Sequence, residues 1–416
     1  MKHVLLISVL LGTVLVAGEP AAASPSVRYG IQDDAWLLHG SGTLQDRVET
    51  FDRMGVDLVR FTLNWHEIER VRGEREWGSA DAVLQELRRS GIAAVVTLYG
   101  SPRWANGGRS PNWAPTSGST FAAFAAAAAK RYSWVKLWLV WNEPNQQRWL
   151  RPTTARTYVT RLLNPAFGAI HRASRGAKVG GGITAPRGST GGVSPVAWIR
   201  GLRAAHAKLD AYAHNPYPLD RHQTPWTGAC RYCETITMAS LGRLQYEVAR
   251  AFGSRKRIWL TEYGYQTNPP DRLLGVSTAT QARHLADAAW RAFKARNVDM
   301  LIHFLYRDEP EVARWQSGLM TARGAPKPAR RAFMVAVAQS YRRGLTTAVW
   351  MHVRPGAGRQ RYVLQQFRNG GWRTVNGAYR TTVRGFAYRY VRAGKGSRLR
   401  VIHTPSGTVS PNLVVR

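Results

Sequence analysis

Between residues 27 and 305 the chain repeats one pattern: a short run of nearly continuous apolar residues, then a stretch with helical periodicity. The apolar runs are Val27–Ile31, Asp57–Leu63, Ile92–Leu98, Val135–Trp141, Lys178–Ile183, Leu209–His214, Arg257–Thr261 and Asp299–Leu305. A strand with one wet face alternates polar and apolar residues, so runs like these belong to a parallel sheet covered on both sides. Between them, Ser79–Ser90 sets Ala80, Val83, Leu84 and Leu87 on one stripe, and Gly91 suits the left-handed turn that ends such a helix. Ala-rich Phe121–Lys130 and Thr278–Arg296 are further helix formers. Eight strand–helix units predict an α/β fold of the (β/α)8 TIM-barrel class. A doubly wound open sheet competes, but no glycine fingerprint opens the first helix. Gly180-Gly181-Gly182 lies on the fifth strand and reads as close packing, not as a phosphate cradle.

Near residue 342 the pattern changes. Short segments follow at Tyr362–Phe367, Trp372–Val375, Phe386–Val391, Leu399–Ile402 and Leu413–Val415, with a hairpin signal at Asn369-Gly370-Gly371. They predict a small C-terminal all-β, sandwich-like domain over 346–416 behind a barrel domain over 24–342. The sequence has no Asp or Glu after Glu311, so carboxylate chemistry cannot reside in this tail. Its basic surface fits an anionic cell-wall polymer or serves as a spacer. The whole chain carries 59 Lys and Arg against 25 Asp and Glu, a formal net charge of +34. Such a balance admits anionic partners or simple solubility. No recognition motif points to nucleic acid.

The first 23 residues read as an export signal: basic Met1-Lys2-His3, an apolar run from Val4 to Val16, then the small residues Ala21-Ala22-Ala23. The run is too short to span a bilayer and no later one is longer, so a secreted or cell-wall-associated monomer is expected. The two cysteines, Cys230 and Cys233, cannot close a zinc site alone and lack a thioredoxin-type context. A disulfide bracing one loop is the expectation, with no metal and no organic cofactor.

In a barrel of this type the chemistry sits at the C-terminal ends of the strands. Glu143 ends the fourth strand in Trp141-Asn142-Glu143-Pro144-Asn145, and Glu262 ends the seventh in Thr261-Glu262-Tyr263-Gly264. Tips of strands four and seven face each other across the mouth. Two opposed carboxylates are what glycosidic cleavage requires, one giving a proton to the leaving oxygen and one meeting the anomeric carbon. Asp33, Asp34, Glu67, Asp220, Asp308 and Glu309 are further acids near the same side. Trp65, Trp104, Trp113, Trp149 and Trp226 fall in top-side loops, where aromatic faces could stack on pyranose rings.

These paired segments resemble the signatures of the clan A retaining glycoside hydrolases, in particular its cellulase-like and β-xylosidase-like barrels. The resemblance spans most of Tyr29–Phe333 and implies a carbohydrate substrate and hydrolysis of O-glycosyl bonds by double displacement. It implies Glu143 as general acid/base, Glu262 as nucleophile and Asn142 as ligand of the sugar 2-hydroxyl. Arg60, in Leu58-Val59-Arg60-Phe61, resembles the strand-two arginine beside the nucleophile. His214 and Tyr217, in His-Asn-Pro-Tyr-Pro, resemble cleft-lining residues of the clan. Two departures stand out. The histidine expected after strand three is missing from Leu98-Tyr99-Gly100-Ser101, and no tryptophan ends strand eight, where either Tyr306 or Trp315 would have to substitute. A catalytically silent wall-glycan binder is the alternative function.

Overall fold

The computed structural model describes residues 24–416; the expected export signal at 1–23 lies outside the described residues. Eight parallel strands close in chain order into a barrel. They are β1 Arg28–Gln32, β2 Leu58–Asn64, β3 Ala93–Tyr99, β4 Leu137–Val140, β5 Lys178–Thr184, β6 Ala211–His214, β7 Arg257–Tyr263 and β8 Val298–Phe304. Each coincides with an apolar run of the sequence to within about two residues. The barrel interior is filled by Leu58, Val95, Leu139, Ile183, Ala211, Ala213, Trp259, Met300 and Ile302. The size of Trp259 explains the glycines of β5. A Cβ at Gly180 would stand 2.7 Å from both Leu139 Cδ2 and Trp259 Cε3, so only a hydrogen fits there. The triple glycine is close packing.

Behind the barrel lies an all-β module of two antiparallel sheets, in the orders β13-β10-β9 and β12-β11-β14-β15. Its strands are β9 Val335–Arg343, β10 Thr346–Val353, β11 Arg361–Arg368, β12 Gly371–Arg380, β13 Phe386–Arg392, β14 Arg398–His403 and β15 Leu413–Val414. The module therefore opens at Val335, and the break expected at 342–346 falls inside the β9–β10 hairpin. Helix Pro328–Met334 runs directly into β9, so Val335-Ala336-Val337-Ala338 reads in sequence as more helix.

The module seats against helix Thr278–Lys294 and the starting end of β1. Phe293 meets Phe386 at 4.6 Å between ring centroids, and Trp290 meets Trp350 at 5.4 Å. His352 lies 4.9 Å from Tyr29, and the Arg354 guanidinium sits 4.1 Å over the same ring. Tyr29 is the second residue of β1, so this contact covers the end of the barrel opposite the mouth. Among the described residues no helix is long and apolar enough to cross a membrane.

Candidate active site

Beyond Val140 the chain leaves β4 through a constrained turn. Trp141 and Glu143 both adopt left-handed backbone, at φ 74° and 38°. Such conformations cost a non-glycine residue about 1–3 kcal/mol each and persist only where the surroundings hold them. Here the Trp141 indole donates to the Trp149 carbonyl at 2.7 Å, and the Asn145 amide bonds Val193 O at 2.9 Å and accepts from Ala185 N at 2.8 Å. The turn is clamped from both sides, and it carries Asn142 and Glu143 into the mouth.

Arg60, 1 % exposed on β2, ties three strands and the turn after β4 together at the floor of this mouth. Its Nε donates to Thr97 Oγ1 of β3 at 2.9 Å. One terminal nitrogen reaches Glu262 Oε1 of β7 at 2.6 Å, and the other reaches Asn142 Oδ1 at 2.9 Å. Only a planar fork with several donors can serve such divergent acceptors. The Asn142 oxygen being occupied, its amide N–H groups remain for another partner. The second oxygen of Glu262 accepts from the Tyr217 hydroxyl at 3.1 Å. Burial foremost, and then the Glu262 charge, raise the Tyr217 phenol well above its ordinary value, so it keeps that proton.

Glu143 faces the same space. Asn215, buried just after β6, donates to Glu143 Oε1 at 3.0 Å while its own oxygen accepts from Thr261 Oγ1 at 2.7 Å. Burial, reinforced by the nearby Glu262 charge, pushes the Glu143 carboxyl up to about 7; the Asn215 hydrogen bond pulls the other way. The Trp149 indole N–H also lies against this carboxyl. One acid is thus pushed toward its protonated form beside another bound by a guanidinium and a phenol, which is the division an acid/base and nucleophile pair requires.

The remaining acids separate by use. Asp33 caps helix Asp34–His39 and accepts from Tyr306 N and Arg307 N at 3.2 and 3.0 Å. Asp308 is buried against Lys327 at 2.7 Å. Asp220 closes a turn onto His222 N and Gln223 N. Glu67 is exposed and bonded to Asn64, and Glu309 accepts from Trp315 N at 2.8 Å. Asp34 alone stays with the pair. Burial lifts its carboxyl to about 6, Thr62 bonds it, and the charges of Arg60 and Glu262 act on it. Its Oδ1 is buried without a partner.

Five sequence expectations need correction. His214 is fully buried with both ring nitrogens engaged, Nδ1 with Thr184 Oγ1 at 2.8 Å and Nε2 with Ile236 O at 3.0 Å. It is a satisfied barrel histidine, and burial depresses it to about 4. Trp65 is fully buried beside Phe121 and Phe124, with its indole on Glu69. Trp104 turns its edge to Trp65 at 5.6 Å and donates to Glu69 O, so it packs with that core and not with the carboxylates. Tyr306 packs on Trp36 at 4.2 Å and on Phe51, behind the mouth. Trp315 folds in instead, 4.9 Å from the Tyr217 ring and 5.5 Å from Phe304. Trp226 lies under Arg291 and Lys294 on the barrel's outer helix.

Two residues had no assigned part. Asn215 stands between His214 and Tyr217, directly after a strand, and that position was its signal. His66 occupies the space left by Gly100, where a Cβ would come within 2.5 Å of its Nδ1, so the imidazole near the end of β3 is delivered from β2. Cys230 and Cys233 form a disulfide in the loop after β6. Among the described residues no group of His, Cys, Asp and Glu is arranged to hold a metal ion.

No protein-family model matches the chain, and no curated protein matches it in sequence. Solved structures do match. A family 39 glycoside hydrolase from the gut symbiont Bacteroides cellulosilyticus WH2 superposes with a TM-score of 0.64 at 16% identity, covering 89% of this chain and 81% of that one. A monomeric β-xylosidase from Caulobacter crescentus CB15 gives 0.57 at 16% identity over 89% of this chain and 95% of its own. The GH5_18 protein from Bifidobacterium longum subsp. longum ATCC 55813 gives 0.54 at 15% identity, covering 74% of this chain and 77% of that one. The chain therefore shares the barrel fold of the clan A glycoside hydrolases.

Proposed function

We propose that the protein is a retaining glycoside hydrolase acting on O-glycosidic, β-configured bonds of an oligo- or polysaccharide, exported from the cell that makes it. The reading rests on one observation above the others: the carboxyls of Glu143, just after β4, and Glu262, on β7, are joined in one network through Asn215, Thr261 and Arg60, and Glu143 is pushed up to about 7. The fold, shared with solved glycoside hydrolases, supports it. So do the small residues and apolar run of the first 23 positions, for export.

In the first step the Glu262 carboxylate attacks the anomeric carbon while protonated Glu143 gives its proton to the departing oxygen. A covalent glycosyl-enzyme forms. In the second step Glu143, now a base, takes a proton from water, which attacks the same carbon and releases the sugar with its configuration kept. Arg60 and the Tyr217 hydroxyl hold the nucleophile in line. The free amide of Asn142 binds the sugar 2-hydroxyl. Trp149 and Trp315 flank the ring. The alternative of a catalytically silent glycan binder is not favoured, because it would leave the tuned pair without a use.

The test is a screen of the purified protein on aryl β-glycosides and on plant, fungal and bacterial polysaccharides, followed by labelling with a 2-deoxy-2-fluoro glycoside. The expected results are turnover and a mass increase of one fluoro-sugar carried by the peptide containing Glu262. Glu262→Ala should keep its fold and lose at least about 10⁴-fold in kcat. A near-wild-type rate in that variant would remove Glu262 from the nucleophile's role.

A further inference from the structure

A cavity of about 290 Å³ opens in the seam between the barrel and the β module. Phe293, Trp350 and Phe386 supply its aromatic walls, and Arg359, Arg380 and Arg389 supply its charge. Ligand pockets run from about 300 Å³ upward, so the space suits one ring-sized unit.

Three guanidiniums border the cavity beside the hydroxyls of Thr381 and Thr382. Arg389 is held by stacking 4.4 Å over Tyr379 and by its bond to Tyr388 O at 2.8 Å. No carboxylate of the protein meets the three arginines: among the described residues none of them joins an ion pair, and the sequence carries no acid after Glu311. Grouped guanidiniums repel one another, and a bound oxyanion would relieve that repulsion.

From this we propose that the seam cavity is a second, non-catalytic binding site for an oxyanion carried on a sugar ring: the carboxylate of a hexuronate or the phosphate of a phosphosugar. It lies at the end of the barrel opposite Glu143 and Glu262, so an acidic polysaccharide can be held there while another stretch of chain occupies the mouth.

The test titrates the full-length protein with D-glucuronate, glucose 6-phosphate and glucose, following the thermal midpoint and ligand-observed NMR at low and high NaCl. The measurement needs no turnover, so its outcome is independent of the proposed hydrolysis. A saturable, salt-weakened response to at least one anionic probe is expected, with none to glucose at equal concentration; a response to only one of the two identifies the oxyanion. The double variant R359E/R380E should bind that probe at least about tenfold more weakly and leave turnover of a neutral aryl glycoside unchanged. Both side chains are exposed, and the single variant R359A gives the same readout should the double variant misfold. No saturable response to either anionic probe, an equal response to glucose, or undiminished binding by the folded variant overturns the proposal.

Discussion

Asn215 shows how a neutral amide can govern an acid. Its Nδ2 donates to Glu143 Oε1 at 3.0 Å and so pulls down a carboxyl that burial and the Glu262 charge push up to about 7. If Glu143 must carry the proton, kcat/KM should fall about tenfold per pH unit once pH rises through about 7. Asn215→Ala removes the largest of the influences that oppose the rise. Its alkaline limb should therefore move to higher pH while the plateau drops by about 10–10²-fold. A variant with a lower plateau and an unmoved limb would show that Asn215 only supports the floor. The carboxylate pair was legible because both residues end strands inside short recognisable segments, and Arg60 and Tyr217 because they sit in two further segments, Leu58–Phe61 and His214–Pro218, that carry the same resemblance. Trp65 and Tyr306 were misplaced for a physical reason. A large aromatic just past a strand end can turn toward the mouth or back under the helices, and its own segment does not state which neighbours will compete for it.

The segment that follows β8 is the element on which the mouth's far wall depends. It leaves the barrel at Leu305 and must return Trp315 to the Tyr217 ring before helix Pro328–Met334 begins. Glu309 fixes the turn by accepting from Trp315 N, and the buried pair of Lys327 and Asp308 staples the return. The lysine also donates to Thr267 Oγ1 and Gln316 O, so all three of its protons are used. Burial raises the Asp308 carboxyl and lowers the Lys327 ammonium despite their mutual attraction. The desolvation cost is therefore only partly offset, and removing one member strands the other. Lys327→Met should destabilise the protein by about 3–5 kcal/mol, read as a lower urea midpoint at constant slope, and should raise KM as Trp315 loses its seat. Equal midpoints would mean that water already reaches the pair. The eight barrel strands were legible because their apolar runs have no alternation. β9 was not, because four small apolar residues after a helix prolong its pattern as well as they begin a strand.

The molecule as a whole behaves as one body if the aromatic seam is what its contacts indicate. Trp290 and Phe293 of the barrel meet Trp350 and Phe386 of the module, and Tyr29 meets His352 and Arg354. Trp290, Phe293, Trp350 and Phe386 are all within 3 % of complete burial. Burying a large apolar side chain contributes about 1.5–3 kcal/mol. Stripping the module from Tyr29, Trp290 and Phe293 would thus forfeit on the order of 4.5–9 kcal/mol, comparable with the whole stability of an ordinary domain, about 5–15 kcal/mol. Composition could show that the tail is a separate kind of structure, basic and rich in short strands. It could not show this dependence, because apolar periodicity marks which residues will be buried and leaves open what will cover them. The full-length protein should therefore unfold in a single calorimetric transition whose van't Hoff and calorimetric enthalpies agree. A chain ended after Met334 should collect in the insoluble fraction or melt at least about 10 °C lower. Two separated transitions, or a truncated barrel with an unchanged midpoint, would make the module a tethered passenger and the seam a chance contact between independent units.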